Sequence, residues 1–178
     1  MIKRKKQVWV GFDLGGTKMM ATVYDGGFKP LASAKAKTPV NAGPKAVQAR
    51  IRETIAAALQ EAKVPPRGVA GIGVGCPGVL DLDRGLILEA PNLGWKRVPL
   101  RALLAGWFRC RVVLSNDVDA GTYGEWRFGA GRGARTLLGV FPGTGIGGGC
   151  VYEGKLLRGK TGSAMEIGHI PVRENGRL

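Results

Sequence analysis

Two glycine-rich segments of this sequence carry residue types that hold phosphate groups in proteins. The first segment follows an apolar run and contains Asp13, Gly15, Gly16, Thr17 and Lys18. Glycine reaches the positive φ values of tight hairpin turns, and backbone N–H groups unshielded by side chains can cup a phosphate. Asp13 is placed to hold a magnesium ion, directly or through water. The same residues also fit a plain turn whose charges face solvent, and the turn alone leaves both interpretations open.

The second glycine-rich segment lies far along the chain, and it too falls between two strand-like runs. Its candidate phosphate-binding residues are Gly143, Thr144, Gly145 and Gly147. Two such turns facing one another would clamp a polyphosphate from both sides. The pair of turns is therefore more informative than either turn alone.

Three glycine-rich stretches, one of them overlapping the second segment, match well-known formulas without the structural context that those formulas need. Residues 154–161 fit the P-loop pattern, but they follow a hairpin return strand and open no helix. Residues 73–78 and 143–148 fit the dinucleotide fingerprint, yet neither stretch leads from a strand into a helix. We interpret all three matches as coincidences of a glycine-rich sequence.

Composition favours a cytoplasmic protein with anionic small-molecule partners. Of 178 residues, 30 are glycine, and the net charge is +14. Apart from a basic stretch at residues 3–6, the cations are scattered without the aromatic interleaving of a nucleic-acid surface. No apolar run reaches the ~18 residues of a membrane span, and no signal peptide is evident. We therefore expect no membrane partner. The three cysteines form no CxxC pair, so we also expect no disulfide framework.

The elements that must position these segments follow from hydrophobic periodicity. Residues 8–13, 17–24 and 30–37 predict three consecutive strands. Apolar residues at every fourth position from Val47 to Leu59 predict a helix opened by Pro44. Alternating strand and helix patterns continue to about residue 128, and two more strands flank the second glycine turn. This order predicts an α/β fold with a mixed sheet.

In their order along the chain, these segments resemble the ROK family (repressor, open reading frame, kinase), which contains bacterial-type glucokinases. The matching segments, which fall within residues 8–173, are 11–18, 73–78, 91–95, 116–117, 143–149 and 166–169. The resemblance implies the actin-like ATPase (ribonuclease H-like) fold. It also implies an N-terminal domain at 1–117 and the truncated beginning of a second domain at 118–178.

The resemblance implies ATP-dependent phosphorylation of a hexose hydroxyl, as in the glucokinase step of glycolysis. A sugar hydroxyl is a weak nucleophile, so a carboxylate must take its proton as it attacks the γ-phosphate. Asp117, where a strand meets a helix, is the candidate general base, and Asn116 can donate to and accept from sugar hydroxyls. Without the two phosphate turns, residues 115–117 would be interpreted as a helix N-cap cluster.

The remaining sugar contacts also come from the resemblance, which assigns them to Gly78, Glu166 and His169. Glu166 and His169 are three residues apart, a spacing that places both on one face of a helical turn. His169 is further implied as a ligand of a structural zinc. The family supplies the other ligands from a cysteine cluster that this sequence lacks, so we expect the chain not to hold Zn²⁺.

The expected partners are a hexose, ATP and Mg²⁺, with a homodimer implied for the full-length family pattern. The sequence leaves open which hexose is used and whether polyphosphate replaces ATP. Two alternatives are a sugar-responsive transcription regulator of the same family and a catalytically inactive sugar-binding fragment. The sequence also departs from the family at Val118 and Asp119, where alanine and asparagine are common.

Overall fold

The computed structural model describes residues 7–143, 145–171 and 173. The chain divides into two compact units, Met1–Asp117 and Val118–Leu178. Within the described residues, no helix combines the length and the apolar character needed to cross a membrane.

The first unit is organised around a five-stranded mixed sheet in the order β3-β2-β1-β4-β8. Strands β1 to β3 are antiparallel neighbours, whereas β1, β4 and β8 run parallel. The predicted opening of three consecutive strands is therefore confirmed. The strand bounds are β1 Val8–Leu14, β2 Lys18–Tyr24, β3 Pro30–Lys37, β4 Val69–Cys76 and β8 Arg111–Asn116.

The core of this unit lies on one face of the sheet. Every second residue of β1 is buried, from Val8 through Val10 and Phe12 to Leu14. Helix α1 (Pro44–Glu61) packs against β2 and β3 and buries the predicted stripe from Val47 to Leu59. Full burial of one such aliphatic side chain contributes about 1.5–3 kcal/mol, so the stripe fixes the helix on the sheet.

A small antiparallel sheet and a second helix complete the first unit. The small sheet contains β5 (Val79–Asp81), β6 (Leu86–Ala90) and β7 (Trp95–Val98). Strand β7 was not predicted, because the exposed Lys96 and Arg97 separate its two buried residues and leave almost no apolar signal. Helix α2 (Leu100–Phe108) follows and packs against β8.

The second unit contains a helix followed by a three-stranded antiparallel sheet. Helix α3 (Asp117–Phe128) leads into β9 (Thr136–Pro142), β10 (Ile146–Tyr152) and β11 (Lys155–Leu156). These three strands form an antiparallel sheet in the order β11-β10-β9. Each unit therefore has a run of three antiparallel strands whose first two are joined by a glycine turn. The P-loop-like residues 154–161 open no helix, so that interpretation is confirmed.

Helix α3 packs on the β9–β10 hairpin through two glycines. Gly139 and Gly149 are register partners, and Thr122 lies against both at the points where a Cβ would stand. Thr122 is fully buried, and its hydroxyl donates to the Val118 carbonyl at 2.9 Å. A side chain at either glycine would therefore displace the helix from the hairpin.

Gly149→Ala should lower the free energy of unfolding by about 1–3 kcal/mol, because the new methyl group overpacks the contact with Thr122. The matched control is Gly124→Ala on α3, where a Cβ would meet nothing within 4 Å. That change should stabilise the helix by up to ~1 kcal/mol. Urea unfolding followed by circular dichroism measures both. Equal effects of the two variants would show that the glycine contact does not constrain this packing.

Candidate active site

Three parallel strands bring the candidate catalytic and magnesium-binding residues to one edge of the sheet. Asp13 of β1 pairs in register with Gly75 of β4, and Gly75 pairs with Ser115 of β8. Asn116 is the last residue of β8, and Asp117 is the first residue of α3. Because parallel strands end at the same edge, Asp13 lies at the carboxyl end of β1, and Asn116 and Asp117 lie at that of β8, with β4 between the two strands. This is where open α/β sheets bind ligands.

The charges at this edge influence one another. Although Asp13 is exposed overall, partial burial of its carboxyl raises its pKa, and the negative charge of Asp117 raises it further. The positive charge of Lys18 opposes both effects. Burial and, second, the charge of Asp117 raise the pKa of the Cys76 thiol to about 12. Asp13, Asp117 and Lys18 therefore form one electrostatic group beside the first glycine turn, next to a thiol that stays protonated.

The first glycine turn is closed by one backbone hydrogen bond. The Gly15 N–H donates to the Lys18 carbonyl at 3.0 Å. That amide therefore serves the turn itself, and the two central amides, of Gly16 and Thr17, are the candidates for binding a phosphate. The side chains of Thr17 and Lys18 are both exposed beside them.

The reason for glycine in this turn differs from the one expected from the sequence. Neither Gly15 nor Gly16 adopts a positive φ, so that expectation was wrong. A Cβ at Gly15 would lie 2.7 Å from the Lys18 carbonyl oxygen, and one at Gly16 would lie 2.8 Å from the Asn92 carbonyl oxygen. Close backbone approach excludes side chains here, and it brings the 91–95 segment against the turn.

Thr38 holds the first turn from the side, and sequence reasoning missed it. Its hydroxyl donates to the Gly15 carbonyl at 2.7 Å, and its N–H donates to the Thr17 carbonyl at 3.0 Å. Thr38 is buried, so neither bond competes with bulk water. Two carbonyls of the turn are thereby engaged on the Thr38 side. The only sequence signal was a hydroxyl residue directly after β3.

Gly78 and Ser115 have different structural explanations. Gly78 has φ +94°, and a Cβ there would collide with the Glu89 carbonyl, so its backbone conformation requires glycine whatever it binds. Ser115 carries a buried hydroxyl that has no hydrogen-bond partner among the described residues. Such a group costs about 1–3 kcal/mol unless water or a ligand satisfies it.

The second glycine turn separates into an open part and a packed part. The Gly143 N–H donates to the Gly145 carbonyl at 2.7 Å, and a Cβ at Gly145 would meet nothing within 4 Å. Thr144 lies outside the described residues. A Cβ at Gly147 would instead lie 2.5 Å from Val118 Cγ2, which gives Gly147 a packing reason of its own. The Gly143 amide, like that of Gly15, therefore serves its own turn, and Gly145 is the position left open to a ligand.

Glu166 and His169 lie at a short 3-10 turn. The turn spans Ile167–His169, Glu166 directly precedes it, and the His169 N–H donates to the Glu166 carbonyl at 3.1 Å. Both residues are exposed. A Cβ at Gly168 would collide with the Ile146 carbonyl, so this turn packs closely on the start of β10.

The described residues differ in how well they fit the two metals. They contain no group of three or more His, Cys, Asp or Glu side chains that could hold a metal ion. Magnesium needs only one or two carboxylates, because phosphate and water complete its shell, so Asp13 fits that role. A structural zinc needs four protein ligands, which the described residues do not supply around His169.

The family model described as ROK family matches residues 9–178. The chain belongs to the ROK family. A glucokinase of Streptomyces coelicolor is 37% identical over 169 residues, covering 95% of this chain and 51% of the glucokinase. A xylose repressor of Caldicellulosiruptor bescii is 37% identical over 120 residues, covering 67% of this chain and 30% of the repressor.

Solved ROK structures agree with the fold described above. The structure of a ROK family glucokinase from Streptomyces griseus, in complex with glucose and AMPPNP, matches with a TM-score of 0.82 at 36% identity. The match covers 95% of this chain and 52% of that one. The predicted actin-like ATPase fold with a mixed sheet is confirmed. This ROK chain spans about half the length of the glucokinases that it matches.

Asp13→Asn should raise the melting temperature of the chain at pH 7. The folded-state pKa of Asp13 is raised, so the group favours folding while protonated, and that advantage is lost as the pH rises through the folded-state pKa. Asparagine is uncharged at pH 7, so the variant keeps the contribution to folding stability that Asp13 makes only while it is protonated. At a pH well below 3.8, the ordinary pKa of an aspartate, residue 13 is uncharged in wild type and in the variant. The difference in melting temperature should therefore vanish.

The control for this experiment is Asp83→Asn, an exposed aspartate of the same unit. It changes the net charge equally, so the difference between the two variants isolates the local effect. Thermal unfolding at pH 7 and at pH 3 measures both. A melting temperature of Asp13→Asn at or below that of the control at pH 7 would contradict the cost of ionising Asp13 that burial and, second, the charge of Asp117 impose.

Proposed function

We propose that the protein is an ATP-dependent hexose kinase, with glucose as the first candidate substrate. The observation that carries the proposal is the group formed by Asp13, Asp117 and Lys18 at the carboxyl edge of three parallel strands, directly beside a glycine turn. Phosphoryl transfer needs such a grouping of a base, a cation site and phosphate donors. The names of the Streptomyces relatives, both glucokinases, support the same reaction.

Asp117 acts as the general base in this proposal. Its carboxylate takes the proton of the sugar hydroxyl while that oxygen forms a bond to the γ-phosphorus. The bond between the γ-phosphorus and the β–γ bridging oxygen breaks, and ADP leaves with the electron pair. An exposed carboxylate at the first position of a helix is accessible to a bound sugar.

The two glycine turns bind phosphate oxygens. In the first turn the donors are the amides of Gly16 and Thr17, the Thr17 hydroxyl and the Lys18 ammonium. In the second turn the open position is Gly145, and Gly143, Thr144 and Gly147 stay predictions. Asp13 would hold Mg²⁺, which when bound neutralises charge developing on the transferred phosphoryl group.

Four residues position the sugar. Asn116 directly precedes the base, so its amide would bind a hydroxyl adjacent to the one that reacts. Gly78, Glu166 and His169 complete the set. The exposure of Glu166 and His169 leaves both side chains available to a ligand.

A sugar-responsive regulator is the second candidate, because the similarity to a xylose repressor extends over 120 residues. A regulator would bind sugar without turnover, and its affinity for operator DNA would change with sugar. Specific DNA binding together with no ADP release would favour it over the kinase.

Asp117→Asn should lower kcat by about 10²- to 10⁴-fold, because the amide cannot accept the proton. The sugar KM should change little, since the amide keeps the size of the carboxylate and one of its two accepting oxygens. A coupled ADP-release assay with glucose and Mg-ATP measures both constants. It is run on this chain and on a chain extended by the gene sequence that follows codon 178.

Asp83→Asn is the matched control and should keep full activity. Turnover of Asp117→Asn near that of wild type would exclude Asp117 as the base. If only the extended chain turns over, residues beyond this chain complete the site. Sugar binding without turnover by either chain would favour the inactive sugar-binding fragment or the regulator.

Thr38→Val should raise the KM for Mg-ATP by about three- to tenfold and leave the sugar KM near its wild-type value. Valine keeps the shape but loses the hydroxyl, so the Gly15 carbonyl is left unpaired at the base of the turn. The same assay with varied ATP measures it. Thr54→Val is a suitable control, because it loses a similar buried bond, to Arg50 at 2.7 Å, inside α1. Equal KM values for Mg-ATP in Thr38→Val and Thr54→Val would show that the Thr38 hydroxyl does not support phosphate binding.

A further inference from the structure

One ion pair of the second unit joins α3 to the loop that precedes Glu166. The Arg158 Nε donates to Asp119 Oδ2 at 3.2 Å, and the two side chains are 39% and 16% exposed. By comparison, the side chains of the Arg135–Glu153 pair in the same unit are 73% and 53% exposed. Partial burial reduces screening by water and salt, so the Asp119–Arg158 pair is the less screened of the two.

The loop that carries Arg158 connects β11 to the turn of Glu166 and His169. The Arg158 carbonyl accepts from the Ala164 N–H at 3.2 Å, which closes residues 158–164 into a compact loop. Within that loop, Gly159 and Gly162 lie at positive φ, so the backbone turns sharply twice. The loop contains no helix or strand, so its conformation depends on its contacts with the rest of the unit.

The far end of this segment is fastened to β10. Met165 and Ile167 pack against Gly148, and Gly168 packs against the Ile146 carbonyl. The near end is fastened to α3 by the Asp119–Arg158 pair. Glu166 and His169 therefore lie on a segment anchored at two places, one by backbone packing and the other by charge.

We propose that Asp119 and Arg158 are positioning residues that hold this segment so that Glu166 and His169 can bind sugar. The inference rests on the proposed function, since it concerns the sugar site of that enzyme. Neither side chain needs to touch the sugar. Because Glu166 and His169 bind the sugar before and during the reaction, loosening their segment weakens sugar binding more than the chemical step.

The test uses Asp119→Ala and the charge-reversal pair Asp119→Arg with Arg158→Asp. Glu153→Ala, which breaks the exposed pair with Arg135, is the matched control. We expect Asp119→Ala to raise the sugar KM about three- to tenfold, with kcat and the KM for ATP within twofold of wild type. The charge-reversal variant should recover most of the sugar KM, and the control should not change it. Circular dichroism establishes that each variant folds.

Limited trypsin digestion of this chain supplies a readout that does not depend on activity. Trypsin cuts after Arg158 and Lys160, so a loosened loop should be cleaved several times faster in Asp119→Ala than in wild type or Glu153→Ala. An unchanged cleavage rate together with an unchanged sugar KM would overturn the inference. So would a parallel loss of kcat and stability that charge reversal does not rescue, since that pattern indicates general destabilisation.

The proposed function and this inference fail in different ways. If the wild-type protein does not turn over any hexose, calorimetric sugar affinity replaces KM, and the comparison between variants is unchanged. No binding of any sugar by wild type would overturn both proposals. Turnover by wild type with no effect of Asp119→Ala would overturn the positioning role alone.

Discussion

The parallel pairing of β1, β4 and β8 is the constraint on which the candidate site depends. It places Asp13 and Asp117 at one edge of the sheet, where partial burial and, second, the charge of Asp117 raise the pKa of Asp13. Two carboxylates in such proximity disfavour folding at neutral pH, and the buried face of β1 with the stripe of α1 offsets this. A bound cation would convert the same repulsion into attraction, so the arrangement favours a ligand that brings positive charge.

Glycine serves two purposes in this chain, and the structure separates them. Gly139, Gly147 and Gly149 are required because a helix or its side chain lies directly against the hairpin. Gly145 has no neighbour that a Cβ would meet, so packing does not account for it. Glycine loses more backbone entropy on folding than any other residue, and it has no side chain that could pack. The described residues leave room for a ligand to approach the backbone at Gly145, whereas Gly147 has a packing reason of its own.

Much of the architecture could be predicted because its signal is local. The four-residue spacing from Val47 to Leu59 predicted α1, and the carboxylate after an apolar run placed Asp117 where β8 meets α3. Thr38 could not be predicted as a support, because its partner Gly15 lies 23 residues away and the contact depends on how β2 and β3 pair. The pair of Asp119 and Arg158, separated by 39 positions, is non-local in the same way. The φ expectation for Gly15 and Gly16 was wrong because it considered the turn without the backbone packed against it.

The supports of the two candidate binding segments differ in kind, and this has a physical consequence. The first turn is held by hydrogen bonds from buried Thr38, whose strength depends little on salt. The segment with Glu166 and His169 is held at one end by a partly exposed ion pair, whose strength falls as salt screens it. A rise in ionic strength should therefore loosen the segment with Glu166 and His169 more than it loosens the first turn. As far as these supports are concerned, sugar binding should weaken more than phosphate binding. Direct phosphate contacts, by contrast, carry a salt dependence of their own from Lys18. A salt titration that resolves the two affinities in wild type and in Asp119→Ala would separate these contributions, since only the sugar term should lose its salt dependence in the variant.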